Sequence, residues 1–208
     1  MWCDDKLFLI IGGKLSIMSA LFAFFIVFFA IALVLPTVRV WRQTGINPVV
    51  LPRSDDVAGF VGTYFKLLII FLGTYLLLGT LNVVRPIGPI LLPDHASIVG
   101  WCLLTASIFW VVIAQFQMGI SWRVGIDTET KTALIIHGLF QISRNPIFLG
   151  MMMQLVGLFL AQPDAITFAI LLTGYVLISI QIRGEEQHLM NIHGMNYREY
   201  CAKVRRWI

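Results

Sequence analysis

Five long runs without charged residues alternate with short polar segments along the chain. The runs cover residues 15–35, 67–84, 96–118, 147–161 and 165–182. An α-helix needs about 20 consecutive apolar residues to cross the hydrocarbon core of a bilayer, so each run predicts a transmembrane helix or a large part of one. The pattern predicts an all-α integral membrane protein with about five transmembrane helices and a C-terminal helical hairpin.

The last two runs are joined by a Gln-Pro-Asp turn at 162–164 and therefore predict the hairpin. An antiparallel hairpin returns the chain to its starting face, so Arg144 before the first helix should lie near Glu185 and Glu186 after the second. Charges near lipid are energetically costly, and three of them together are a functional-site hypothesis. The alternatives are a positive-inside anchor at Arg144 and a structural ion pair of Glu185 with Arg183 or Arg144.

Composition supports the membrane assignment. Hydrophobic residues make up 58% of the 208 residues and charged residues 12%, against roughly 25% charged residues in soluble domains. The length fits a single membrane domain, with N-terminal spans and a surface loop over 1–95 and a core that contains the candidate functional site over 96–208. The net charge of +4 indicates no nucleic-acid partner, because the basic residues bracket the apolar runs instead of forming a stripe.

The basic residues also predict the orientation of the chain. Five spans place the termini on opposite sides, and cytoplasmic segments carry an excess of Lys and Arg. On this arrangement 12 of the 15 basic residues fall on the side of the C-terminus, and the exceptions are Lys6, Lys14 and Arg85. We therefore expect a cytoplasmic C-terminus, with the candidate site around Arg144, Glu185 and Glu186 on the same side. Turn signals in segment 36–66 predict a partly irregular loop on the membrane surface, without identifiable chemistry.

The residues around Arg144 indicate how a ligand would be held. Asn145 is a favourable N-cap and Pro146 a favourable first helical residue, so a helix N-terminus with free N–H groups lies beside an arginine. This combination favours an anionic group. Gly138 offers a point where backbone can approach a ligand closely. The two carboxylates at the end of the hairpin could hold an ammonium or a sulfonium-bearing ligand.

The C-terminal segment has apolar and aromatic residues at intervals of three and four, namely Tyr197, Tyr200, Cys201, Val204 and Trp207. This spacing predicts an amphipathic helix on the cytoplasmic side. The helix could be an interfacial anchor, or a lid over a cofactor that the two tyrosines contact.

Other polar residues carry weaker signals. The three cysteines are isolated, and His188 and His193 do not share a helical face, so no metal site is expected. Gln115 and Gln117 lie in an apolar run, where they predict hydrogen bonds between helices or the lining of a cavity.

The motifs of the C-terminal half resemble those of the integral-membrane methyltransferases of the isoprenylcysteine carboxyl methyltransferase and phospholipid methyltransferase superfamily. The similarity covers about ninety residues and carries several motifs in the same order. They are Met118-Gly119-x-x-Trp122, His137-Gly138-x-Phe140-x-x-x-Arg144-Asn145-Pro146-x-Phe148-x-Gly150, Glu185-Glu186-x-x-Leu189, Gly194-x-x-Tyr197-x-x-Tyr200 and Val204-x-Arg206.

The resemblance implies S-adenosylmethionine as the cofactor, bound on the cytoplasmic side between the hairpin and the tail. Arg144 would lie at the active centre with Glu186, and both are the implied catalytic residues. Arg206 matches a tail position of the superfamily. The implied cofactor-binding set is His137, Gly138, Leu139, Arg144, Asn145, Pro146, Glu185, Glu186, Tyr197 and Tyr200.

The resemblance and the apolar walls imply a lipophilic acceptor that enters from the bilayer, with membrane lipids as the other partners. The oligomeric state is left open. Methyl transfer from an activated donor requires mainly positioning and desolvation. A carboxylate nucleophile needs no general base, and no residue is clearly placed as one. Isoprenylcysteine-type carboxyl O-methylation is therefore the favoured reaction.

Two positions depart from the isoprenylcysteine enzymes, which usually have histidine in place of Asn145 and tyrosine in place of Phe148. N-methylation of a phospholipid amine and S-methylation of a thiol are close alternatives. An NADPH-dependent sterol-type reductase and a non-enzymatic membrane scaffold are more distant ones.

Overall fold

The computed structural model describes residues 17–49, 57–124 and 133–208, which fold into helices joined by short turns. The helices are α1 (Ile17–Thr44), α2 (Val57–Thr80), α3 (His95–Met118), α4 (Pro146–Ala161), α5 (Ala165–His193) and α6 (Met195–Lys203). Short 3-10 turns follow α3 at Gly119–Ser121 and precede α4 at Gly138–Gln141. The predicted all-α class is confirmed, since extended pairing within these ranges is limited to two isolated bridges.

Four helices, α1, α2, α3 and α5, are long and apolar enough to cross a membrane. Helix α4 has 16 residues, and at 1.5 Å per residue it extends about 24 Å, less than a hydrocarbon core of about 30 Å. Large apolar side chains such as Phe60, Ile70 and Phe109 are exposed, as contact with lipid requires. The protein is a multi-pass integral membrane protein, and the number of five spans stays a prediction.

The boundaries of the first two spans differ from the prediction. Helix α1 continues to Thr44 and ends at Gly45, whose φ of 71° stops the helix. Helix α2 begins at Val57, so Lys66 is an exposed residue within the helix and not at its edge. The predicted loop at 36–66 is therefore wrong at both ends. A charged residue ends an apolar run, but a lysine can lie within a membrane helix because its long stem carries the ammonium toward water. The turn signals at 52–56 lie outside the described residues.

Helix α1 contains a π-helical turn at Ala30–Val34. Such a turn disturbs the regular pairing of backbone groups. The side chain of Gln115 in α3 donates from Nε2 to the carbonyl of Ala32 at 2.7 Å. The hydrogen bond between helices predicted for Gln115 is thus observed, and it joins α3 to the π-helical turn.

Helices α3 and α4 are antiparallel and in backbone contact. A Cβ atom built on Gly100 would lie 2.5 Å from the backbone nitrogen of Ala161, and one built on Gly157 would lie 2.9 Å from the carbonyl of Gly100. Such close approach is possible only with glycine, and small residues at helix interfaces are typical of membrane proteins. At the other end of α3, Trp110 Nε1 donates to the carbonyl of Pro146 at 2.9 Å. The end of α3 therefore lies beside the start of α4.

The turn between α4 and α5 contains a buried carboxylate. Asp164 is fully buried and caps α5, with its Oδ1 accepting from the backbone N–H of Thr167 at 2.8 Å. Its Oδ2 accepts from the hydroxyl of Tyr75 in α2 at 2.5 Å and from Gln162 Nε2 at 3.3 Å. The sequence predicted only a turn at this point. The structure shows a hydrogen-bonded network that joins α2 to the hairpin.

Candidate functional site

The start of α4 brings Asn145 into the site. The helix begins at Pro146, as predicted, and Asn145 holds the N-cap position. Its side chain makes no capping hydrogen bond. Instead its Nδ2 donates to Oε1 of Glu186 at 3.2 Å and to the carbonyl of Arg206 at 3.3 Å. The amide has two donors, and they serve the hairpin and the tail instead of the helix end.

The centre of the site is an ion cluster formed by Glu186 and two arginines. Arg144 Nη2 lies 3.2 Å from Oε1 of Glu186, and Arg206 Nη2 lies 2.7 Å from Oε2. The Nε of Arg206 also donates to both oxygens at 3.2 Å. The side chains of Arg144 and Glu186 are each 13% exposed. Charge-assisted hydrogen bonds of this kind are the strong ones, and the cluster keeps one excess positive charge.

Glu185 is not part of this cluster. Its Oε1 accepts from Gln181 Nε2 one turn earlier in α5, at 3.0 Å. Successive residues of an α-helix point about 100° apart, so adjacent glutamates face different neighbours. The ion pairs considered for Glu185 are not among those of the described residues, and Arg183 instead donates to the carbonyl of Ser179 at 2.6 Å. The structure therefore brings Arg144 together with one of the two predicted carboxylates.

The tail segment after α6 lies against the segment before α4. The backbone N–H of Arg144 donates to the carbonyl of Arg205 at 3.0 Å. The hydroxyl of Ser143 donates to the carbonyl of Arg206 at 3.2 Å. Helix α6 ends at Lys203, so Val204 and the residues after it are not part of the predicted amphipathic helix. The predicted helix is correct up to that point, and the rest of the tail forms a wall of the site.

Both predicted tyrosines of α6 are buried. Tyr197 is 2% exposed, and Tyr200 is 8% exposed and donates to the carbonyl of Phe140 at 2.6 Å. Burial raises the pKa of Tyr200 to about 12, although the positive charge of Arg144 opposes the shift. Burial, together with the negative charge of Glu186, also raises the pKa of Tyr197. Both residues are therefore neutral hydroxyls at physiological pH and serve as packing and hydrogen-bonding groups.

The segment from His137 to Leu139 lies beside the end of α3. His137 is exposed, and Gly138 opens the 3-10 turn with a φ of +62°, a conformation that favours glycine. The backbone N–H of Leu139 donates to Gln117 Oε1 at 2.8 Å. A Cβ atom on Gly138 would overlap the amide group of Gln117. Gly138 is thus required by its backbone conformation and by the side chain of Gln117.

The ion pair with Glu186 favours the charged form of Arg206, and Arg144 has one donor that no described residue uses. The hydrogen bond to Glu186 raises the pKa of Arg206 above its already high ordinary value. The Nε–H of Arg144 is buried and has no hydrogen-bond acceptor among the described residues. An unpaired buried donor is costly. A ligand that carries an acceptor would pair it.

Three residues of the site were missing from the predicted set. Ser143 and Gln117 carry hydrogen bonds that hold its loops, and Arg206 had been named only through the resemblance. A glutamine in an apolar helix is a usable signal, because a buried amide needs partners. No comparable signal exists for Ser143, whose partner is a backbone carbonyl far along the chain.

Part of the cluster lies within a segment that is similar to a known protein family. The family described as "PEMT: Phospholipid methyltransferase" matches residues 95–196, from the start of α3 to the start of α6. Glu186, Arg144 and Gln117 lie within the match, whereas Tyr197, Tyr200 and Arg206 follow it. The match covers just under half of the chain and supports the superfamily of integral-membrane methyltransferases whose motifs the sequence resembles.

One similar protein is a methanethiol S-methyltransferase of Mycobacterium tuberculosis (strain ATCC 25618 / H37Rv). It is 29% identical over 109 residues, which cover 50% of this chain. The same alignment covers 43% of the length of that relative. The chain therefore spans less than half of this curated relative.

Proposed function

We propose that the protein is an S-adenosylmethionine-dependent methyltransferase with its active centre at the Arg144–Glu186–Arg206 cluster. The observation that supports this proposal is the cluster itself, in which two arginines share a largely buried carboxylate. Arg144 and Glu186 lie within the segment matched by the methyltransferase family, and Arg206 follows it. Charged groups in that setting are costly, and their retention fits a ligand site. The remaining question is whether the side chains suit this cofactor.

The side chains fit the amino-acid portion of S-adenosylmethionine. Its carboxylate suits the excess positive charge of the cluster and the unpaired Nε–H of Arg144. Its ammonium suits Glu185, whose carboxylate is not engaged with the arginines of the cluster. When bound, the cofactor supplies a methyl group on a positively charged sulfur that is already activated for displacement. Tyr197 and Tyr200 would then close the site from the side of α6.

A thiol is the proposed acceptor. The support is the relative whose name gives methanethiol as its substrate. Thiols react as thiolates, and a thiol pKa, about 8.5 for cysteine, falls beside positive charge. Because the cofactor carboxylate would neutralise the excess charge of the cluster, the positive sulfonium of the bound cofactor would be the charge that favours the thiolate. Small or lipophilic thiols would reach the site through the bilayer.

An isoprenylcysteine-type carboxylate is the second candidate acceptor. The positive sulfonium of the bound cofactor favours an anionic group of this kind as well, and a carboxylate needs no base. Asn145 counts against it: both of its contacts use one amide nitrogen that donates twice, which a single histidine nitrogen cannot do. A histidine at this position, usual in the isoprenylcysteine enzymes, would require a different arrangement of Glu186 and the tail.

The proposed function is tested by ligand binding to the purified protein in detergent. S-adenosylmethionine or its demethylated product should raise the midpoint of thermal unfolding and give a calorimetric binding signal. NADPH should do neither. Stabilisation by NADPH alone would identify a reductase, and no response to any of these ligands would favour a scaffold. Methyl transfer to methanethiol, to an isoprenylcysteine analogue and to a phospholipid amine would then identify the acceptor.

We further infer that the site faces the cytoplasm, from the excess of basic residues on the side of the C-terminus. Helix α3 carries Asp94 at the end away from the site and Gln117 at the site end, while Lys203 ends α6 on the site side. Cysteines introduced at Asp94 and Lys203 should be labelled from opposite sides of the membrane. Labelling of both from the same side would contradict the orientation.

A further inference from the structure

Gln117 connects α3 directly with the turn at Gly138–Gln141. Its Oε1 accepts the backbone N–H of Leu139 at 2.8 Å. The orientation of the amide follows from chemistry, because an N–H group requires the oxygen and not the nitrogen opposite it. The Nε2 atom then lies toward Gly138, where it fills the place that a Cβ atom would take.

The same turn is held from its other side by α6. Tyr200 donates to the carbonyl of Phe140 at 2.6 Å, and Tyr200 packs against Tyr197 with ring centroids 5.9 Å apart. Tyr197 in turn lies close enough to Glu186 for its charge to raise the tyrosine pKa. Gln117 and Tyr200 therefore fix two successive residues of the turn, one from each flanking helix. The turn connects the end of α3 with the wall of the ion cluster.

We propose that Gln117 is a positioning residue for cofactor binding: it sets the conformation of the His137–Leu139 segment. This inference rests on the proposed function, since the segment is taken to contribute to the cofactor site. A turn with a positive φ at Gly138 and a 3-10 geometry is weakly stable by itself. Without the amide of Gln117, the Leu139 N–H loses its acceptor and the segment samples other conformations. Binding must then order it, which lowers affinity.

Gln117→Met is the decisive variant, because methionine has a similar length without an acceptor for the Leu139 N–H. Gln117→Glu keeps an oxygen at this place and should restore much of the effect. We expect Gln117→Met to raise the Kd for S-adenosylmethionine or its demethylated product roughly threefold to tenfold, the range for one lost hydrogen bond. The KM of the acceptor and kcat at saturating cofactor should change little.

Gln115→Met is the matched control. It removes a hydrogen bond of similar length from the same helix, but the bond goes to Ala32 in α1 and not to the turn. This variant should lower the midpoint of thermal unfolding without changing cofactor affinity. A merely structural role of Gln117 would make the two variants alike, with loss of stability and unchanged Kd. That result would overturn the proposal.

A second readout needs no ligand. Hydrogen–deuterium exchange at the Leu139 amide should be faster in Gln117→Met than in the wild type, and unchanged in Gln115→Met. Equal exchange and equal Kd in all three proteins would refute the positioning role while leaving the proposed function in place. Failure of the wild type to bind S-adenosylmethionine would instead refute the proposed function. Faster exchange together with weaker binding is the result that supports the inference.

Discussion

Glu186 and Arg206 are 20 positions apart in the chain, and their side chains lie 2.7 Å apart at Oε2 and Nη2. The contact connects the end of α5 with the segment after α6. Arg144 reaches the other oxygen of the same carboxylate from the start of α4. A single carboxylate thus joins three parts of the chain, and its loss should affect both folding and ligand binding.

We expect Glu186→Gln and Glu185→Gln to differ although they change adjacent residues in the same way. Glu186→Gln leaves two arginines without their carboxylate and should lower both thermal stability and cofactor affinity. Glu185→Gln should lower the affinity for the cofactor roughly tenfold to hundredfold, as expected for the loss of one charged hydrogen bond, with little loss of stability. Calorimetry and thermal unfolding in detergent measure the two effects. Identical behaviour of both variants would refute the separate roles.

Substitution of Arg144 should show that its geometry matters as well as its charge. Arg144→Lys keeps the positive charge but loses the planar group that contacts Glu186 and carries the buried Nε–H. We expect Arg144→Ala to lower kcat at saturating cofactor and Arg144→Lys to recover only part of it. Steady-state kinetics with each substrate varied in turn would test this. Full activity of Arg144→Ala would mean that Arg144 serves only as a positive-inside anchor and not in the reaction.

Tyr200→Phe should destabilise the contact between α6 and the turn before α4. The substitution leaves the carbonyl of Phe140 without its 2.6 Å hydrogen bond, and an unsatisfied buried group costs about 1–3 kcal/mol. Tyr175→Phe is the matched control, since Tyr175 is 51% exposed on α5. The midpoint of thermal unfolding should fall only for Tyr200→Phe. Equal midpoints would show that the hydroxyl contributes nothing to the closure of the site.

Asp164→Ala should destabilise the protein without changing the chemistry of the site. It removes the cap of α5 and the acceptor of Tyr75, and each loss costs about 1 kcal/mol or more. Asp164→Asn keeps an oxygen for the cap and should be milder. Thermal unfolding measures stability, and cofactor affinity below the transition should stay at the wild-type value. A change in affinity would mean that the two ends of the hairpin are coupled.

The pH dependence of turnover distinguishes the two acceptor classes. A thiol reacts as the thiolate, so below the thiol pKa, near 8.5 or lower, kcat/KM should rise about tenfold for each pH unit. At saturating cofactor, a carboxylate acceptor is already ionised above about pH 6, so its own ionisation should add no slope to kcat/KM between about pH 6 and 9. Tyr197 and Tyr200 do not titrate in this range, because their pKa values are raised. Flat profiles with every acceptor would exclude the thiol.

The hairpin and the start of α4 were predictable because the signal for each lies within a short stretch of sequence. The Arg144-Asn145-Pro146 motif marks the helix start, and the Gln-Pro-Asp turn marks the reversal. Lys66 caused the wrong boundary, because a hydropathy pattern ends an apolar run at a lysine. A lysine can nevertheless lie within a membrane helix, since its long apolar stem carries the ammonium toward water. Predictions of this kind work where the signal lies within a few neighbouring residues.

Long-range contacts explain what the sequence did not reveal. Nothing local distinguishes Glu186 from Glu185, and only the packing of α4 and the tail selects the first for the arginines. Asp164 was read as a turn residue because its partner Tyr75 lies 89 positions earlier. Which side chains meet in the site depends on helix rotation and approach, which single-sequence patterns do not fix.

The π-helical turn shows that the number of residues in α1, and not only their apolar character, determines which side chains face the neighbouring helices. A π turn accommodates an extra residue because its hydrogen bonds span one residue more than those of an α-helix, whereas a length change in a regular α-helical stretch rotates the remainder of the helix by about 100°. Deleting one residue between Val34 and Arg39, after the π turn, would therefore turn Arg39 away from the ring of Phe116, 4.5 Å from it. Point substitutions leave every residue at its angular position around the helix axis. Insertions and deletions in α1 should therefore be far less tolerated than exchanges of one apolar residue for another.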